Sequence, residues 1–144
     1  FGARVNGYNA DLTRTVVVGK ATDEHRRIYN AVLEAQLAAI QVIRPGVAAC
    51  EADAAARAVL KKYDLEQYFT HGLGHGLGRL VHDTGSMGAT SKDVFALNQV
   101  WTVEPGVYID GFGGCRIEDD VVVTADGCRI LNKSTKELLE LPQV

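Results

Sequence analysis

A chain of 144 residues, 47% hydrophobic and 23% charged, has the composition of an ordinary globular domain, and at this size about 70% of the unfolded surface can be buried in one core. Its net charge of −3 argues against a dedicated nucleic-acid binder, which would carry a basic patch. No apolar run approaches the roughly 18–20 residues that cross a bilayer, so neither nucleic acid nor membrane is expected as a partner.

Residues Gly2 to Val18 read as a strand pair around Asn6-Gly7, a dipeptide that favours two-residue hairpin turns. The second arm is expected to end in Val16-Val17-Val18. Thr22 or Asp23 can cap a helix running from Glu24 to about Ile43, with Ile28, Val32, Ala35, Ala39 and Val42 on one apolar stripe. Arg44-Pro45-Gly46 stops it. An alanine-rich second helix is predicted from about Cys50 to Tyr63, and the two make an αα-hairpin. Alternating Gly72, Gly74, Gly76 and Gly78 then disfavour helix, at about 1 kcal/mol per glycine relative to alanine. They imply an extended ribbon whose backbone approaches something closely. His82 to Lys92 reads as a surface loop. Val100 to Ile109 reads as a strand interrupted at Pro105-Gly106, and Cys115 to Thr124 as a strand. Ala125-Asp126-Gly127 reads as a turn and Cys128 to Leu131 as a last strand, with a helical turn in the tail Ser134 to Val144. The fold class expected is α+β, an antiparallel sheet with the αα-hairpin on one face.

Cys50, Cys115 and Cys128 fit neither a zinc ribbon nor a thioredoxin motif. Free thiols in a reducing compartment are expected, hence a cytoplasmic location, and no signal-peptide pattern opens the chain. Cys115 precedes Glu118 by three positions, so its thiol is expected near any site built on that glutamate.

Four residues carry candidate chemistry: Asp11 in Tyr8-Asn9-Ala10-Asp11-Leu12-Thr13-Arg14-Thr15, His75 in His71-Gly72-Leu73-Gly74-His75-Gly76, Glu104 in Thr102-Val103-Glu104-Pro105-Gly106, and Glu118 in Arg116-Ile117-Glu118-Asp119-Asp120. The turn Asp110 to Gly114 pairs its flanking strands antiparallel and sets Glu104 roughly opposite Glu118. Two facing carboxylates between apolar neighbours need a shared proton or cations. Three carboxylates and one imidazole suit Mn, Fe, Co or Zn rather than a thiolate structural site. Taken singly, each is an ordinary surface residue. His71 and His75 are four apart, but Gly72 stands where a helical zinc-protease motif needs glutamate.

Together the four blocks, with His71 to Asp83 including Val81-His82-Asp83, resemble the pita-bread metallopeptidases: aminopeptidase P, prolidase, the methionine aminopeptidases and the metal-free creatinase. The histidine block is most similar to the aminopeptidase P and prolidase branch. The resemblance runs from Phe1 to about Leu131 and implies a partial pita-bread fold. Asn98 stands where the family usually has glycine and can adopt the same left-handed turn.

The resemblance implies two divalent metal ions, Mn favoured over Co, Zn or Fe, held by Asp11, His75, Glu104 and Glu118. It implies a peptide substrate with proline at the second position, and homo-oligomers. Two ions lower the pKa of a water between them and polarise a carbonyl. Glu104 is then expected as general base and His82 as donor to the developing oxyanion. His71, His82 and Arg116 are expected to touch substrate, Arg116 alternatively serving as charge partner of the carboxylates. The family's first aspartate ligand precedes the second by eleven residues, a position just ahead of Phe1. The chain is therefore expected to be the second part of a catalytic domain, weak in metal binding and activity by itself. The competing functions are a non-catalytic peptide-binding module and another hydrolase or lyase on the same fold.

Overall fold

In the computed structural model, which describes residues 1–143, Asn6 and Gly7 take φ of 51° and 86°, as a primed two-residue turn requires. They join strand β1 (Gly2–Val5) to β2 (Tyr8–Asp11), with Gly2 opposite Asp11. The hairpin ends there. Val16-Val17-Val18 does not continue it but forms β3 (Val16–Val18), parallel to β11 (Leu139–Leu141) in the tail expected to be helical. Both corrections share a cause. A valine triplet leaves backbone groups open, and an alternating Leu-Glu-Leu segment can satisfy them. Glu140 adds an ion pair with Arg26 and accepts the Ala21 N–H. Val144 lies outside the described residues.

Helix α1 (Asp23–Val42) starts at a reciprocal cap: the Thr22 hydroxyl accepts from the His25 N–H, and the His25 ring accepts from the Thr22 N–H. Helix α2 (Ala49–Lys62) follows the Pro45-Gly46 connection. Ala31, Ala35 and Ala39 of α1 and Ala49, Ala52 and Ala56 of α2 are all fully buried, so the two helices meet through small side chains.

The helices cover one face of a five-stranded antiparallel sheet. Its order is β10 (Cys128–Ile130), β9 (Asp119–Val123), β6 (Val100–Val103), β4 (Gly74–Gly76) and β5 (Asp83–Met87). The expected surface loop from His82 to Lys92 thus contains β5. Polar content concealed a strand whose pairing partner is the histidine ribbon. Glycine is required in that ribbon: a Cβ on Gly74 would lie 2.1 Å from the Thr102 carbonyl oxygen, and one on Gly76 would lie 2.0 Å from that of Thr84. Asn98 takes φ 68°, the left-handed conformation expected of it.

A separate hairpin, β7 (Gly106–Ile109) and β8 (Gly113–Arg116), springs from the end of this sheet. The interruption expected at Pro105-Gly106 is found at Glu104-Pro105, between β6 and β7, and the strand predicted from Cys115 to Thr124 is broken as well, at Ile117-Glu118. Val103 pairs with Asp119 before the break and Gly106 with Arg116 after it. The register is unchanged across the gap, which sets Glu104 opposite Glu118. At the gap their main chains turn elsewhere: the Glu104 N–H donates to the Leu73 carbonyl at 2.8 Å and the Glu118 N–H to that of Thr13 at 3.0 Å. No helix among the described residues is long and apolar enough to cross a membrane.

Candidate metal centre

The break in the sheet gathers the acidic residues. Asp11 ends β2, His75 is the middle residue of β4, and Glu104 and Glu118 face each other where β6 and β8 stop. One donor atom each from Asp11, His75 and Glu118 lie within 4.8 Å of one another. Glu104 joins them through His75, its Oε1 lying 3.3 Å from the ring Nε2. The Nδ1 of His75 sits 3.0 Å from the Gly76 carbonyl oxygen. A carbonyl only accepts, so Nδ1 carries a proton and Nε2 is the nitrogen facing the carboxylates: protonated, it donates to Glu104, and deprotonated, it offers the lone pair that a ligating imidazole needs. The buried Thr102 hydroxyl donates to Glu104 Oε1 at 3.1 Å and accepts from the His75 N–H at 3.0 Å, tying the two strands together.

Electrostatics at the cluster follow from burial and crowding. Burial pushes the Glu118 carboxyl up to about 7, aided by Glu104 and Asp11 and opposed by the Thr13 hydroxyl, which donates to it at 2.5 Å. Burial likewise raises Asp120 to about 6, with Asp11 and Asp119 adding to it. One oxygen of Asp120 accepts the Asp11 N–H at 3.0 Å, while the other is buried without a partner among the described residues. For His75 burial disfavours charge, but Glu104 and the Gly76 carbonyl outweigh it and the pKa is raised. For Glu104 burial acts upward, and His75 and Thr102 outweigh it, holding the pKa below the usual glutamate value. Crowded, desolvated carboxylates beside an imidazole lone pair suit a divalent cation. The donor set therefore fits the metal that the sequence implies.

The raised carboxyls have a consequence for stability. Their protons are held more tightly in the native state than in the unfolded one, so stability falls as pH climbs between the two pKa values. For Glu118 the window runs from 4.5 to about 7, and the expected loss in metal-free protein is on the order of 3 kcal/mol. His75 acts in the same direction near the top of the window, whereas Glu104 acts oppositely at its acid end. Urea denaturation of metal-stripped wild type and Glu118→Gln across this range isolates the effect. A pH profile of equal slope in both proteins would refute it.

His71, Gly72, His75, His82, Ser86, Glu104 and Arg116 line an open cleft of about 420 Å³ over the cluster. His82, exposed, stacks at 4.1 Å between ring centroids on His75. His71 binds the Gly72 carbonyl through Nδ1, so its Nε2 accepts from the Tyr108 hydroxyl at 3.0 Å. Arg116 donates to the Tyr108 oxygen at 3.0 Å and to the Thr13 hydroxyl at 3.1 Å. Arg116 is thus the donor from which two arms diverge, one through Tyr108 to His71 and one through Thr13 to Glu118. All the residues singled out from the sequence meet in this region. Cys115 does not. One position from Arg116 on a strand, it points to the opposite face, where it is buried with Ile28 and Tyr29. Burial pushes its thiol up to about 11, on the side away from the acidic cluster, contrary to the expected proximity.

Thr13, Thr102, Tyr108 and the partnerless oxygen of Asp120 were not expected from sequence. Hydroxyl residues beside a motif carry no periodic or charge signal of their own; only proximity to Asp11, Glu104 and Arg116 could have flagged them.

Comparison with known proteins agrees with this geometry. Residues 1–125 match metallopeptidase family M24. The chain belongs to that family. Among M24 relatives, the Xaa-Pro dipeptidase of Pyrococcus furiosus is 44% identical over 139 residues, covering 96% of this chain and 40% of the relative. The solved prolidase structure from Pyrococcus furiosus superposes with a TM-score of 0.91 at 43% identity, covering 93% of this chain and 40% of that one. The X-Pro aminopeptidase of Thermotoga maritima gives a TM-score of 0.94 at 37% identity, over 98% and 40%. The fold is therefore of the pita-bread type, and this M24 chain spans about 40% of the length of the curated relatives it matches.

Proposed function

We propose that this chain belongs to a metal-dependent peptidase that cleaves Xaa-Pro bonds. The observation that carries the reading is the convergence of Asp11, His75 and Glu118, with Glu104 against His75, and with His75 and Glu104 also lining an open cleft. The relatives named for Xaa-Pro substrates support the substrate class. Asp11, His75, Glu104 and Glu118 would hold two divalent ions, with Mn favoured because three of the four donors are carboxylates. When bound, such a pair supplies Lewis acidity and an acidified water.

The residues of the chain would divide the remaining work. Glu104, held ionised by His75 and Thr102, takes a proton from the attacking water and returns it to the leaving amine. His82, exposed at the rim beside His75, donates to the scissile carbonyl oxygen as negative charge develops there. His71 and Arg116 face the cleft and contact the substrate, and the Tyr108 hydroxyl keeps their relative placement. Arg116 also reaches Glu118 through Thr13, so it both orients substrate and stabilises the ionised carboxylate.

The test uses the full-length protein loaded with Mn. It compares an Xaa-Pro dipeptide, a longer peptide with proline second, and a Met-initiated peptide. The expected result is EDTA-sensitive cleavage before proline. Cleavage of the dipeptide alone identifies a prolidase, and cleavage of the longer peptide identifies an aminopeptidase. Hydrolysis indifferent to chelator, or restricted to the Met-initiated peptide, would overturn the proposal.

A further inference from the structure

Helix α2 reaches the histidine ribbon through one ion pair remote from the acidic cluster. Asp53 is fully buried. Its Oδ2 accepts from Arg57 Nε at 2.7 Å, and its Oδ1 accepts the Leu73 N–H at 3.1 Å. The other two nitrogens of Arg57 are also used on the chain leading into the ribbon. Nη1 donates to the Phe69 carbonyl at 3.1 Å and Nη2 to that of His71 at 2.8 Å. The guanidinium lies 4.3 Å over the Phe69 ring, whose edge meets the His71 imidazole at 5.0 Å. Beyond Leu73, the carbonyl of the same residue accepts the Glu104 N–H.

We infer that Asp53 and Arg57 are positioning residues: they clamp the segment Phe69 to Leu73 so that His71 meets Tyr108. The inference deepens the peptidase reading and rests on it for the role of His71 in the cleft. An ion pair serving only its own helix would leave the far guanidinium nitrogens in water. Here each nitrogen has a partner, and two of the three reach the Phe69 to Leu73 segment. The planar fork is what allows this. A lysine at the same position could neutralise Asp53 but could not also span two carbonyls.

The closing experiment compares wild type, Arg57→Lys, His71→Ala and the double variant in full-length, Mn-loaded protein. A second readout is the NOE between the His71 and Tyr108 rings in metal-free protein. Arg57→Lys is expected to raise KM for an Xaa-Pro peptide about tenfold, as misplacement of a contact group does, with kcat changed less than about threefold. In the His71→Ala background the same substitution is expected to add nothing, because the two act through one contact. The NOE is expected to vanish in Arg57→Lys. An unchanged KM in folded protein, or equal KM effects in both backgrounds, would overturn the inference. If wild type shows no metal-dependent cleavage, the functional reading fails by itself and the NOE still decides the clamp: loss supports it and persistence sinks it. Should Arg57→Lys not fold, Asp53→Asn, which keeps an acceptor for the Leu73 N–H while loosening Arg57, is read by the same NOE.

Discussion

Glu104→Gln in the full-length protein is expected to lower kcat for Xaa-Pro cleavage by about 10²–10⁴-fold, the usual contribution of a general base, with the fold intact. The amide has the shape of the carboxylate and still accepts from the Thr102 hydroxyl. It cannot take a proton, and it is a poorer cation ligand. Two further readings separate the lost functions. Titration calorimetry with Mn reports the loss of a ligand, and the acid limb of the pH–rate profile reports the loss of the base. The substitution also removes one of the charges that crowd Glu118, so the Glu118 carboxyl is expected to ionise at lower pH in the variant. Activity within about threefold of wild type at saturating Mn would remove Glu104 from its proposed role.

Asp119→Ala is expected to destabilise the protein by about 3–5 kcal/mol, the effect of removing one member of a buried charged set. Asp119 is fully buried. Its carboxylate accepts from Arg14 at 2.7 Å, from Lys136 at 2.6 Å and from the buried Gln36 amide at 3.2 Å. Gln36 in turn accepts from Lys136 at 2.8 Å and donates to the Val103 and Ile117 carbonyls. Arg14 also binds the carbonyls of Glu118, Ser134 and Thr135. One side chain therefore joins α1, the linker after β2, the broken strand carrying Glu118, and the tail. Without it two cations are left partly buried and unpaired. Lys136→Met is expected to have a smaller effect, because Arg14 still neutralises the carboxylate. Urea unfolding checks both variants. A loss below about 1 kcal/mol for Asp119→Ala, within the range of an exposed pair, would show that the network does not hold the strand break in place.

The local features were legible because local chemistry dictates them. Asn6-Gly7 can hardly avoid a primed turn. The apolar stripe of α1 and the alanines of α2 announce two closely packed helices, and the alternating glycines from Gly72 announce a backbone pressed against a neighbour. The motif contexts of Asp11, His75, Glu104 and Glu118 were equally readable, since each joins an unusual residue type to a restricted backbone. Strand partners were less so. The valine triplet at Val16 and the tail at Leu139 are separated by most of the chain, and no short-range signal links them. The segment from Asp83 to Met87 looked like loop because its residues are polar. It is a strand only because the ribbon at His75 offers it hydrogen bonds.

What the residues alone determined is the inventory: two helices, a glycine ribbon, and four donors of the right chemistry in an order that resembles one family. Only the tertiary structure decided how they meet. It broke the strand predicted from Cys115 to Thr124 level with the interruption expected at Pro105-Gly106, and brought Asp11 and His75 to the gap across which Glu104 faces Glu118. It also turned Cys115 away and enlisted Thr13, Thr102 and Tyr108 as partners. The physical reason is that helices and turns are governed by neighbours within a few positions. Desolvating several like charges in one place requires segments about a hundred residues apart to be held by a core and a hydrogen-bond network, which no single window of sequence contains.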